Sequence, residues 1–201
     1  MKKKSNNWNL LWNPFTRVAG WQAFWVGMVI VVASALLASY GNLLFDGAID
    51  AHFHHYVGIA HSFVVTGISL LSVVAAMYVA ALIISRSVRF IHILGTMTLA
   101  RAPFLLLAII SPFVSFPSMD LLIQDPLTSF GYPMLMYFVR HPMSLIFIII
   151  SLPVIVWLIA LMYNGFKVST GAKGKKLVVA FIVALLIAEV LSKVCIYLLP
   201  F

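Results

Sequence analysis

The side chains able to do chemistry fall into two groups. The first is a polar stretch holding Asp46, Asp50, His52, His54, His55 and His61. Carboxylates and imidazoles are ligands for zinc, copper or nickel, and three of them plus a water would make a catalytic centre. Written on a helix, Asp46, Asp50, His54 and His61 share one face, which makes those four the candidate metal set. Gly47 and Gly58 weaken such a helix, and the zinc pattern His-Glu-x-x-His does not occur in the chain. Two other readings stand beside the metal: a polar, partly protonated cap over helix ends, and a pH sensor, since a free imidazole titrates near ~6.5.

The second group is Arg101, Glu189 and Lys193, charges that interrupt otherwise apolar sequence. Such charges inside a bilayer need a partner or a purpose. Glu189 precedes Lys193 by four residues, the favoured order for an intrahelical pair. Glu189 lies about 18 Å beyond Leu177 along a helix rising ~1.5 Å per residue. The plain expectation is a self-neutralising pair that snorkels; the sharper one is a bond from Glu189 across the bundle to Arg101. Serine, threonine and cysteine form no nucleophile motif, and the lone Cys195 excludes an internal disulfide or a cysteine metal site. No enzyme and no cofactor are therefore expected.

The elements that must position these residues are five long apolar runs. Hydrophobic residues make up 63% of the chain and charged ones 9%, against roughly 45–50% and 25% in a soluble domain. The runs span about 20–40, 62–84, 91–116, 142–163 and 177–199. Each approaches the ~20 apolar residues that a helix needs to cross a bilayer. The expected fold is all-α: one transmembrane domain over 1–201, a polytopic bundle of five helices with interfacial amphipathic segments. Asn13-Pro14 reads as a cap and first position, starting the first helix near Pro14. Trp8, Trp12, Trp21, Arg86 and Arg89 are the expected membrane-interface residues. Ser62, Thr66, Gly67, Ser69 and Ser72 read as small residues for close helix packing.

Arg101 depends on where the third helix enters. Arg86, Arg89, His92 and Thr96 form a polar stripe, so 87–100 is expected to lie in the interface, with Arg101-Ala102-Pro103 bending into a short span near the headgroups. If the helix enters at Ile91 instead, Arg101 sits near mid-membrane and must be paired.

The formal charge of +8 is distributed between the apolar runs, which points to an anionic membrane surface and away from nucleic acid. With the N-terminus inside, the inner segments hold Lys2, Lys3, Lys4, Arg17, Arg86, Arg89, Lys167, Lys173, Lys175 and Lys176, and the outer loops only Arg140. That bias predicts a cytoplasmic N-terminus and an outer C-terminus. The basic stretch Gly171-Ala172-Lys173-Gly174-Lys175-Lys176 is too short for a nucleotide motif and reads as a solvated linker.

This organisation resembles the bacterial branch of the Yip1 family. The resemblance is carried by Asn13-Pro14-Phe15 before the first span, by five closely set helices, and by the stretch Ser85-Arg86-Ser87-Val88-Arg89-Phe90-Ile91-His92-Ile93-Leu94-Gly95, continuing through Thr96-Met97-Thr98-Leu99-Ala100-Arg101-Ala102-Pro103. It implies an integral protein of the bacterial inner membrane without enzymatic chemistry. The family's eukaryotic link to small GTPases does not carry over, because the N-terminal arm is too short.

Three functions follow as expectations. The first is a non-enzymatic protein that organises or binds membrane lipids or partner proteins, including a homo-oligomer. The second is a small transporter or channel component with a polar site around Arg101 and Glu189. The third is a membrane enzyme with a metal in its outer loop.

Overall fold

The computed structural model describes residues 8–85, 87–116 and 132–199. Five of its helical segments are long and apolar enough to cross a membrane: Gly20–Tyr40, Ile59–Ile84, Phe90–Phe113, Pro142–Thr170 and Lys175–Tyr197. The shortest, at 21 residues, reaches about 31 Å, matching a hydrocarbon core ~30 Å thick. Apolar sequence of this length folds as helix in lipid because each backbone N–H and C=O finds its partner within the segment.

The chain opens with α1, Trp8–Trp12, and a 3-10 turn at Pro14–Thr16. The first long helix therefore starts later than expected: α2 runs Gly20–Tyr40, entered through Gly20 at φ 57°. Asn13 makes no side-chain cap, so the proline closes a separate turn. α1 is docked on the fourth long helix, where Trp157 Nε1 donates to the Leu11 carbonyl at 2.8 Å and Asn164 Nδ2 to that of Trp12 at 2.8 Å. Trp12 and Trp21 are exposed, as is Arg89; Arg86 and Lys2 to Lys4 lie outside the described residues.

α3 spans Ile59–Ile84, α4 Phe90–Ala100, α5 Phe104–Ile110, α6 Tyr132–Arg140, α7 Pro142–Thr170 and α8 Lys175–Tyr197. The two most extensive packings are α3 on α8 and α2 on α4, with α7 closing over α4 and α5. The buried stripe Ala23, Gly27, Val31 and Ala35 on α2 explains the second packing. A side chain at Gly27 would overlap the backbone of Leu99, and one at Gly95 would overlap the carbonyl of Gly20.

This contact bears on the third span, where a polar stripe was expected to lie at the interface. Ile93, Gly95, Thr96, Met97, Thr98, Leu99 and Ala100 are buried against neighbouring helices, whereas Ser87, Arg89 and Phe90 are exposed. Small residues on both sides of the α2–α4 seam let the backbones approach, and that draws the segment into the centre. The expected break at Arg101-Ala102-Pro103 does occur. Pro103 has no N–H to donate, and the Ala102 amide takes the Leu99 carbonyl instead at 3.0 Å.

The α2–α3 connection, residues 41–58, folds back between the helices. β1 (Leu43–Leu44) pairs antiparallel with β2 (His52–Phe53), setting Leu44 opposite His52. Asn42, at φ 52°, supports the hairpin: its carbonyl accepts from the His54 amide at 2.9 Å and its side-chain oxygen from the Val57 amide at 3.0 Å. Between the strands Phe45, Gly47 and Ala48 are buried. The Phe45 ring stacks on Phe104 of α5, with centroids 4.4 Å apart.

Candidate functional site

The hairpin turn brings the two groups of chemistry-bearing residues together. Arg101, at the break between α4 and α5, is 1% exposed. Its Nη2 donates to Ser69 Oγ at 2.7 Å and to the Gly47 carbonyl at 3.4 Å, while the Ser69 hydroxyl donates to that same carbonyl. The guanidinium also sits 5.6 Å over the Phe104 ring, a cation–π contact strengthened by burial. Arg101 Nε and Nη1 are buried without a hydrogen-bond partner among the described residues. The Glu189 and Asp50 carboxylates lie close enough to act on Arg101 electrostatically.

Glu189, on α8, does not bond Arg101 directly. Its Oε2 accepts from the Ala48 amide at 2.7 Å and from the Ile49 amide at 3.3 Å. Successive backbone N–H groups turned to one side make an anion-binding concavity, and here the hairpin turn offers one to a carboxylate from a helix. Glycine at 47 leaves room for both carboxylates, since a Cβ there would overlap Asp50 and Glu189 and displace them.

One turn further along α8, Lys193 Nζ contacts Asp46 Oδ2 at 2.8 Å and Asp50 Oδ2 at 2.9 Å. Thus Glu189 and Lys193 each engage the loop, where an intrahelical pair was the simpler expectation. The physical reason is geometric: the loop offers backbone amides to Glu189 and two carboxylates to Lys193, satisfying each more fully than either would the other. His52 Nδ1 completes the cluster, 2.9 Å from Asp46 Oδ1. Burial pushes the Asp46 carboxyl up, but the bonds from Lys193 and His52 outweigh it and hold Asp46 below the usual carboxylate range. Burial pushes the neighbouring His54 imidazole below its ordinary value.

The metal candidates are rearranged by the same hairpin. Donor atoms of Asp46, Asp50 and His52 lie within 4.8 Å of one another. His54 and His61 are outside that group: His54 is exposed beyond β2, and His61 is half-buried in the first turn of α3. The helical face that joined them to the aspartates does not form, because the segment folds as a hairpin: Asp46 and Asp50 lie in its turn between β1 and β2, His54 follows β2, and His61 is already in α3. The Lys193 ammonium already bridges the two carboxylates, so a metal there must displace it.

Sequence reasoning singled out Arg101, Glu189, Lys193, Asp46 and Asp50. It missed Ser69 as the acceptor for Arg101, the Ala48 and Ile49 amides as donors, and His52 as the imidazole of the cluster. A usable signal was present: Leu43, Leu44, Phe45, Ala48 and Ile49 make the loop that carries the aspartates strongly apolar, as expected of a turn that dips into the bundle. Of the small residues on α3, Ser62 donates to the Ala35 carbonyl at 2.8 Å, as packing requires. A Cβ added at Gly67, by contrast, would meet no atom within 4 Å, so that glycine supports no close approach.

Compared with protein-family models, with curated proteins and with solved structures, the chain gives no match.

Proposed function

We propose that this chain is a non-enzymatic multipass membrane protein of Yip1-like type that organises or binds membrane lipids or partner proteins. It would sit in a bacterial inner membrane with its N-terminus in the cytoplasm. One observation carries this reading: the charges within the spans bind the chain's own hairpin, Arg101 through Gly47, Glu189 through Ala48 and Ile49, and Lys193 through Asp46 and Asp50. Charges committed in this way brace a scaffold. The basic and aromatic segments at the helix ends suit contact with headgroups and neighbouring proteins.

A specific observation favours a second reading, a transporter or channel component. Arg101 Nε, Arg101 Nη1 and Asp50 Oδ1 are buried without partners among the described residues, and an ion or water in transit would engage such atoms. The metal reading draws only on the Asp46–Asp50–His52 grouping, and Lys193 competes with it.

Flux assays in vesicles reconstituted with the purified protein separate the first two. For sodium, potassium and protons, rates equal to those of empty vesicles are expected. Flux abolished by Arg101→Gln or Glu189→Gln overturns the scaffold reading in favour of transport.

A further inference from the structure

Away from the hairpin, an apolar groove of about 790 Å³ runs along the seam of α3 and α8. Small side chains, among them Ala75, Ala80 and Ala180, leave this space, and Val79, Val183 and Ile187 wall it. Its polar character is confined to one end, where Lys175 and Lys176 line it beside Ile83 and Ile84. Both lysines are exposed.

Those lysines are also the first two residues of α8, and that helix start is uncapped. Its N-cap is Gly174, at φ 75°, with no side-chain hydrogen bond and no acidic residue in the first turn. The initial N–H groups of a helix have no partner within it and favour an anion, the more so beside cations. An occupant that satisfies both ends has a long apolar tail and one anionic head.

We propose that the α3–α8 groove binds an anionic phospholipid, with an acyl chain along the groove and the phosphate at Lys175, Lys176 and the start of α8. Basic pockets between spanning helices on the cytoplasmic side are suited to anionic headgroups. A second copy of the chain fits less well. Two copies related by an axis along the membrane normal would bring their lysine ends to the same level, like charge against like. The inference rests on the lipid-binding form of the function proposed above, and names its ligand class and site.

Native mass spectrometry of the purified full chain tests it, with phosphatidylglycerol and phosphatidylcholine of matched acyl chains as probes. One retained phosphatidylglycerol is expected, with roughly a thirtyfold preference over phosphatidylcholine, given two lysines near the headgroup. Lys175→Gln with Lys176→Gln brings that ratio near one, whereas Lys173→Gln, outside the groove lining, preserves it. Ala180→Phe fills the groove and removes both adducts. Equal retention of the two lipids by the unsubstituted protein, a preference that survives the double lysine change, an adduct that survives Ala180→Phe, or a dimer in place of the adduct would each overturn the proposal. These readouts involve no ion flux, so this inference and the scaffold reading fail separately.

Discussion

Arg101 shows how a costly residue is made tolerable. A buried guanidinium loses its hydration, and the protein returns two acceptors, an aromatic face and nearby negative charge. A hydrogen bond to a charged group contributes ~1.5–3 kcal/mol net, so Arg101→Met, which removes the 2.7 Å bond to Ser69, should lower the unfolding free energy by about that amount. It also removes one of the two cations near the Glu189 and Asp50 carboxylates, leaving Lys193 as the other. Denaturant titration of the purified protein in micelles measures this, and an unchanged midpoint would contradict the bracing role. At this scale the sequence was informative in one direction. A charge in an apolar run is conspicuous, so Arg101, Glu189 and Lys193 could be found. Their partners could not, because Ser69 looks like any small helix residue and a backbone amide has no letter of its own.

Among the elements, the α2–α4 seam is the feature that moved furthest from expectation. A polar stripe with Arg89, His92 and Thr96 suggested a helix lying at the interface, yet α4 is buried over most of its length from Ile93 on. Thr96 satisfies its hydroxyl at home, donating to the His92 carbonyl at 2.8 Å, so its presence says little about solvent. The seam depends on glycine, and paired substitutions show where. Gly27→Ala should destabilise by about 1–3 kcal/mol, because the new methyl overlaps the Leu99 backbone. Gly67→Ala, with open space around it, should be neutral or stabilising by up to ~1 kcal/mol through helix propensity. Thermal unfolding of both variants in the same detergent is the comparison, and equal losses would refute the seam. The hairpin has a similar lesson: a helical wheel grouped His54 and His61 with the aspartates, whereas strand pairing selected His52.

For the whole molecule, the sorted charges lead to an orientation that labelling can check. In a Cys195→Ala background, His55→Cys should react with a membrane-impermeant maleimide added outside intact cells, and Lys173→Cys only after permeabilisation. Both native side chains are exposed, so a reversed pattern would invert the proposed topology. The sequence by itself determined that five apolar helices form and which charges break their runs, since hydrophobicity and helical length are properties of local composition. Only the tertiary structure decided that residues 41–58 fold inward, that α4 is central, and that Arg101, Glu189 and Lys193 converge on one hairpin turn. Those outcomes depend on glycine-sized gaps and backbone amides meeting across segments far apart in the chain, and no single stretch of sequence encodes both sides of such a contact.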